Sequence, residues 1–229
     1  RLIIENAIEE GRQTLTVMES KTLLTAFEIP VVRTLEARTV NEALVLAESV
    51  GYPIAMKISS PDIQHKAAIG GVRLNIGNPQ AVRAAFTDLT SAASNAQPGA
   101  RIMGVTIERM HGKPHGRELS VGITTDPVFG PVVVFGVGGG MVELIRDRAV
   151  GLPPLNEIIA RDMLRRSRVA GLLQAYDDKP AVDETVLMRI LLQLSEMVCK
   201  LPHIKELDIN PLVIDDTGAL VLDAHFIVA

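Results

Sequence analysis

A histidine and two lysines stand close to a glycine pair in one short stretch of this chain. Lys57 precedes Ser59-Ser60-Pro61-Asp62-Ile63-Gln64, His65 and Lys66 follow at once, and Gly70-Gly71 come just after. Cationic side chains offset phosphate oxygens, glycine permits close backbone approach, and a neutral imidazole is nucleophilic near pH 7. This chemistry suits a polyphosphate and a phosphoryl acceptor. A second group lies far away, in Glu206-Leu207-Asp208-Ile209-Asn210-Pro211-Leu212 and Leu222-Asp223-Ala224. Asn210 and Asp223 are hard oxygen donors on neighbouring strand-like segments, which suits Mg²⁺. Glu206 and Asp208 are near enough to support them.

Each group has a plainer reading. Lys57 ends the apolar run Pro53-Ile54-Ala55-Met56, and by position alone it is equally a surface lysine with a snorkelling stem. A lone loop histidine is ordinarily a surface residue, and Asn210 with Asp223 could be a polar pair flanking an edge hairpin. Other motifs fail outright. Gly136-Val137-Gly138-Gly139-Gly140 misses the Gly-x-Gly-x-x-Gly fingerprint because Met141 occupies the third position, and the chain has no Gly-x-x-x-x-Gly-Lys-Ser/Thr loop. His111 and His115 are four apart, but Gly112 and Pro114 argue against a helical metal pair.

Composition narrows the class further. The 229 residues are long enough for one large domain or two small lobes, and 47% hydrophobic with 22% charged residues is ordinary globular composition. A net charge of −4, two Tyr and no Trp give no basic field or stacking platform for nucleic acid, nor a basic surface for an anionic membrane. No apolar run reaches the roughly 18 residues that span a bilayer. Cys199 is the single cysteine, so an internal disulfide is excluded and a reducing cytoplasm fits. It sits in an apolar helical stretch and reads as a small core residue. The chain starts at Arg1, and we read it as a piece of a longer polypeptide.

The elements that must position these residues follow from periodicity. Met18–Phe27 has helical spacing and leads into an extended Ile29–Val32. Thr39-Val40-Asn41-Glu42 is a capping box for a helix ending near Val50, and Gly51 closes it. Pro53–Ile58 reads as a buried strand, and Asn78-Pro79 opens a helix to about Ala93. After a linker near 94–100, strands are expected near 101–109, 117–124 and 131–137, and helices near 155–166 and 183–201. In the last helix Val186, Leu187, Ile190, Leu191, Leu194, Met197, Val198 and Leu201 share one face. Leu207–Val213 and Ala219–Asp223 flank the turn signal Asp215-Asp216-Thr217-Gly218.

With Ser-Pro-Asp-Ile-x-His-Lys before Gly-Gly, and Asn-Pro-Leu before Leu-Asp-Ala, the chain resembles the ATP-grasp domain of ADP-forming acyl-CoA synthetases, in the succinyl-CoA synthetase β-subunit superfamily. The resemblance runs from about Met18 to Ala229. It implies an α/β ATP-grasp fold, two α/β lobes enclosing a nucleotide cleft, with 18–98 as the small lobe and 1–17 with 99–229 as the large one. It also implies ATP/ADP and Mg²⁺. His65 would carry the phosphoryl group, while Lys57, Lys66, Gly70 and Gly71 would meet the nucleotide phosphates. Main-chain groups of Glu108, Arg109 and Met110 would read the base edge, Glu118 would lie near the ribose, and Asn210 and Asp223 would hold the metal. Glu143 and Asp147, after the glycine turn, would line the place where phosphohistidine and acyl substrate meet.

The implied partner is a CoA-binding ligase domain or subunit carrying a second phosphohistidine. Two departures support an alternative. Gly151 stands where the family often has arginine, and Leu152-Pro153-Pro154-Leu155-Asn156 resembles the subgroup fused to a lysine acetyltransferase. That alternative is a catalytically silent nucleotide- or CoA-sensing regulatory domain. His225 also follows Asp223-Ala224 where arginine or lysine is common.

Overall fold

The computed structural model describes residues 1–63, 66–110, 113, 115–141, 145 and 148–229. His65, His111, Glu143 and Asp147 therefore lie outside the described residues. The described helices are α1 (Leu2–Glu9), α2 (Val17–Ala26), α3 (Val40–Val50), α4 (Pro79–Ala96), α5 (Glu157–Arg166), α6 (Ala170–Leu173) and α7 (Glu184–Lys200). The strands are β1 (Thr34–Ala37), β2 (Ile54–Ser59), β3 (Val72–Ile76), β4 (Gly104–Arg109), β5 (Arg117–Asp126), β6 (Gly130–Val137), β7 (Arg148–Gly151), β8 (Ile204–Asp215), β9 (Gly218–Val221) and β10 (Ala224–Val228). No described helix is long and apolar enough to cross a membrane.

The chain divides into two compact units. One comprises Arg1–Leu15, Glu19–Val31 and Lys113–Ala229; the other comprises Thr16–Met18 and Val32–Gly112. These limits differ from the expected 18–98 lobe at both ends, for packing reasons. Leu23, Leu24 and Ile29 join the core of the larger unit. Past residue 98, β4 pairs with both β1 and β2, so residues 99–112 stay with the smaller unit's sheet. The extended segment expected at Ile29–Val32 makes only one bridge, Val31 to Val221, and the strand proper begins at Thr34.

In the smaller unit the strand order is β1-β4-β2-β3, antiparallel throughout. Alternation assigns the faces. Ile54 and Met56 of β2, with Val105 and Ile107 of β4, pack on Ala43 and Ala47 of α3 and Val82, Ala85 and Leu89 of α4. The intervening positions put Thr34, Glu36, Lys57, Ser59, Thr106 and Glu108 on the other face. Both helices begin as the sequence specifies. Thr39 Oγ1 accepts from Glu42 N (3.2 Å), while Glu42 Oε2 accepts from Arg38 N (2.7 Å). Asn78 Oδ1 accepts from Ala81 N at 2.9 Å.

The larger unit is built on a six-stranded sheet of order β10-β8-β5-β6-β7, with β9 pairing with β8. Leu119, Val121, Ile123, Phe135, Leu207 and Ile209 form a core with Leu187, Ile190, Leu191, Leu194, Met197 and Val198 of α7. Each such fully buried leucine contributes about 2 kcal/mol relative to exposure. Asp183 caps α7 by accepting from Thr185 N at 3.0 Å. Cys199 is exposed rather than in the core. One residue beyond Val198 is a 100° step, enough to leave the buried stripe.

Candidate functional site

Two constellations stand out, one in each unit. In the smaller unit Lys57 lies on the polar phase of a central strand, β2, and its ammonium meets the Glu108 carboxylate. Lys57 Nζ lies 2.9 Å from Glu108 Oε2, with the two side chains 12% and 4% exposed. The register explains the reach: Lys57 lies opposite Thr106 and Ala55 opposite Glu108, so Lys57 and Glu108 are diagonal neighbours on one face. Glu108 Oε1 accepts from Thr34 Oγ1 at 2.9 Å, and Thr34 is its direct cross-strand partner on β1. Nearby, Ser59 Oγ donates to Glu36 Oε1.

The Ser-Pro-Asp phrase is pinned at its start. Ser60 Oγ accepts from Asp62 N (3.1 Å), and Asp62 Oδ2 accepts from Arg101 N (2.7 Å). Lys66 is buried and opens a 3-10 turn, Lys66–Ile69. Gly70 and Gly71 close that turn: Gly70 N donates to Ala67 O (3.1 Å) and Gly71 N to Lys66 O (2.7 Å). A Cβ on Gly71 would come within 2.8 Å of Ile58 Cγ2 and of Lys66 O, so the strand-to-turn packing requires glycine there. Arg109 is exposed at the end of β4, and Met110 follows half-buried. Met110 N donates to Pro53 O at 3.0 Å.

In the larger unit, Asn210 sits at a break in the β8 ladder. Leu119 of β5 pairs with Leu212, and Val121 pairs with Ile209, so Ser120 alone faces both Asn210 and Pro211. This is a bulge, where a proline without N–H is tolerated and a side chain is re-aimed. Asn210 N donates to Asp223 O (3.2 Å) and Leu222 N to Pro211 O (3.1 Å), which brings the asparagine and the aspartate side by side. Asp223 Oδ1 accepts from Ala224 N at 3.1 Å. The pair presents hard oxygen donors on adjoining backbone, the donor chemistry that Mg²⁺ takes, so the residues fit this ion. Asp208, considered as support, accepts from Ser120 Oγ at 3.4 Å.

The glycine turn belongs to this group. Gly138 N donates to Glu118 O (2.9 Å), and Gly139 N donates to Asn210 Oδ1 (2.8 Å). Gly139 has φ +61°, and a Cβ there would fall 1.7 Å from Glu118 Oε2. The exposed Glu118 carboxylate thus lies directly over the turn whose N–H holds Asn210.

Three contributors escaped sequence reasoning. Glu108 was singled out only for its main chain, whereas its side chain holds Lys57. Its phase, opposite to Val105 and Ile107 and matching Lys57 on the next strand, was the available signal. The Gly139–Asn210 bond had no local signal. Arg117 also went unremarked: it is buried, donates to the carbonyls of His115, Leu172, Gln174 and Pro180, and lies 5.1 Å from the Tyr176 ring centroid.

Over residues 6–228 the sequence matches the family model described as an ATP-grasp domain. The chain belongs to the ATP-grasp family. It is 39% identical over 227 residues to the Pyrococcus furiosus acetate–CoA ligase [ADP-forming] I subunit beta, covering 99% of this chain and 97% of that one. Its fold matches a structure of Candidatus Korarchaeum cryptofilum dinucleotide forming acetyl-coenzyme A synthetase 1, in complex with coenzyme A, Ca-AMPCP and HgCl⁺. The TM-score is 0.95 and the identity 31%, over 100% of this chain and 99% of that chain. A second structure of that enzyme, with coenzyme A and Mg-AMPPCP, has its phosphohistidine segment pointing towards the nucleotide binding site. It matches with TM-score 0.83 and 30% identity, over 100% of this chain and 99% of that one.

Within this ATP-grasp chain the two departures have structural explanations. Gly151 is buried in β7, and even a Cβ would fall 2.4 Å from Met163 Sδ and 2.8 Å from Leu155 Cδ2. Packing of α5 on β7 leaves no room there for arginine. The Leu-Pro-Pro-Leu-Asn phrase is the entry to α5: Asn156 Oδ1 accepts from Ile159 N (2.9 Å), and Leu155 N donates to Ser195 Oγ (2.7 Å). The comparisons give no support to an acetyltransferase-linked role for it.

Proposed function

We propose that this chain is the nucleotide-binding part of an ADP-forming acid–CoA ligase, passing a phosphoryl group between ATP/ADP and a histidine. The observation that carries this reading is the end-to-end match with a ligase β-subunit, at 39% identity over 99% of the chain. Lys57 and Lys66 offset phosphate charge, and the Gly70-Gly71 turn lets main chain approach the phosphates. Asn210 and Asp223 hold Mg²⁺, which when bound neutralises phosphate oxygens. Glu118 stands near the ribose. The segment Glu108, Arg109 and Met110 meets the base edge; Met110 N–H is committed to Pro53 O, so Met110 offers its carbonyl oxygen.

His65 is the phosphoryl carrier of the smaller lobe. A lone pair on its neutral imidazole forms a P–N bond to the γ-phosphorus of ATP as the P–O bond to ADP breaks; in the ATP-forming direction this runs in reverse. The second phosphohistidine belongs to a CoA-binding partner domain or subunit, and the site of action is the cytoplasm. Lobe limits of 18–98 for the small lobe, and 1–17 with 99–229 for the large one, apply to this reading only as adjusted by the packing of 19–31 and 99–112 described above.

Titration calorimetry with ADP, with and without Mg²⁺, tests the reading. Binding strengthened by Mg²⁺ is expected. No binding of either form up to millimolar nucleotide would sink it.

A further inference from the structure

The face of the small sheet opposite α3 and α4 carries a polar row. Thr34, Ser59, Thr106 and Glu108 are all buried on it, and Lys57 nearly so. Burying a carboxylate and an ammonium is costly unless each is held by the other and by further hydrogen bonds. The geometry meets that requirement in sequence across three strands. Thr34 Oγ1 on β1 donates to Glu108 Oε1 on β4 at 2.9 Å, and Glu108 Oε2 takes Lys57 Nζ on β2 at 2.9 Å. The backbone register fixes every link, since Thr34 lies opposite Glu108 and Lys57 on the diagonal.

From this we infer that Glu108 is a positioning residue that acts through Lys57. The Thr34–Glu108 bond fixes the carboxylate, and the carboxylate fixes the lysine ammonium where it meets nucleotide phosphate. This rests on the reading of Lys57 as a phosphate contact. A lysine side chain has four rotatable bonds and a point charge, so on its own it places that charge poorly. An ammonium has three N–H donors, so its bond to Glu108 is compatible with a second bond to a phosphate oxygen. The carboxylate also supplies a resident counter-charge for a nearly buried lysine when no nucleotide is bound. The base-reading role of this segment belongs to its main chain; the phosphate-side role belongs to the Glu108 side chain.

The test separates phosphate from base. Glu108→Gln keeps size and an acceptor but loses charge, and Thr34→Val keeps shape but loses the hydroxyl. Glu108→Gln should weaken ADP binding about tenfold, the order expected for a lost charged hydrogen-bond partner, with adenosine binding unchanged. Thr34→Val should weaken ADP binding about threefold, again without effect on adenosine. Acylation of Lys57 by an amine-reactive ester, followed by mass spectrometry of the unliganded protein, gives a second reading: both variants should label faster than wild type.

Tighter ADP binding by Glu108→Gln would make the carboxylate a competitor of phosphate and overturn the proposal. Parallel loss of ADP and adenosine would overturn it too, by pointing to the base site or the fold. If Glu108→Gln does not fold, Thr34→Val still decides, through nucleotide affinity and Lys57 labelling together. Wild-type protein that binds no ADP would sink the nucleotide reading, and the acylation rates would then show separately whether Glu108 holds Lys57. Equal rates in all three proteins would overturn that as well.

Discussion

The main-chain N–H of Gly139 donates to Asn210 Oδ1 at 2.8 Å, tying the glycine turn to a candidate metal ligand. Only oxygen can accept from that N–H, so the bond settles which way the Asn210 amide faces. One lone pair of Oδ1 then serves the turn and the other is left for a cation. Gly139 has φ +61°, and its Cα lies beneath the Glu118 carboxylate. Gly139→Ala should therefore cost about 1–3 kcal/mol of stability, through strain and displacement of Glu118. In the folded fraction it should lower affinity for Mn²⁺ in the presence of ADP, read by electron paramagnetic resonance of the bound ion. Unchanged Mn²⁺ affinity would leave the turn with a purely structural part.

Direct ligand substitutions should look different. Asn210→Ala and Asp223→Ala remove an oxygen each without placing a Cβ in a forbidden position. Each should weaken Mg²⁺–ADP binding by tenfold or more, on the order of 1.4 kcal/mol, and leave metal-free ADP binding nearly intact. Calorimetry with and without Mg²⁺ measures the difference. Equal loss in both titrations would point away from metal ligation.

The acid limb of stability should report Asp215. Burial pushes its carboxyl up, but hydrogen bonds from Lys113 and Thr217 more than offset this and hold it down to about 2. Lys113 Nζ lies 2.6 Å away, and the Asp215 side chain is 8% exposed. A folded-state value below the ordinary 3.8 contributes stability that is present above that value and lost as pH falls through about 2. The full contribution is on the order of 2 kcal/mol. Lys113→Met should lose most of it at neutral pH and show a shallower decline in thermal stability between about pH 4 and pH 2. A parallel shift of the whole pH profile would refute the assignment.

Sequence periodicity reached the elements but not their cross-connections. The capping residues Thr39, Asn78, Asn156 and Asp183 all act within four residues of themselves, and two of these starts were legible in advance. The apolar face of α7 was equally readable, because 3.6-residue spacing is a local property. The Lys57–Glu108 pair was not. It depends on β4 lying between β1 and β2, a non-consecutive order that no short window contains. The same holds for Asn210, whose Asn-Pro-Leu phrase marked it, while the bulge opposite Ser120 and the bond from Gly139 come from pairing with distant strands. Cys199 misled because its neighbours are apolar although its own direction is outward.

Arg117 should prove one of the larger single contributors to the stability of the larger unit. Its guanidinium donates to four carbonyls, two of them, Leu172 and Gln174, flanking the segment that leads to Tyr176. Arg117→Met should cost about 2–4 kcal/mol in urea unfolding, since buried acceptors lose a charged donor. Arg117→Lys should recover only part, because one ammonium cannot reproduce the planar fork. Full recovery by lysine would mean that charge alone, and not the geometry of the four bonds, holds the segment.

His65 gives the most direct test of chemistry. When the ligase containing this chain is given ATP and Mg²⁺, His65 should become phosphorylated. A phosphorus–nitrogen bond on imidazole is labile in acid and stable in base, opposite to a serine ester, so the linkage can be told by its survival alone. His65→Ala should abolish the label in this segment and stop overall ligase flux, while ADP affinity stays nearly unchanged. The acceptor acts in the transfer step, whereas Lys57 and the metal pair hold the bound nucleotide in the ground state. Lys57→Met should give the converse pattern, with weakened ADP binding and a label that returns at high ATP. Wild-type flux in His65→Ala would remove the carrier role. A label confined to acid-stable, base-labile linkages would move the accepting atom from imidazole to a hydroxyl, with the serines of the Ser59-Ser60 pair the nearest in sequence.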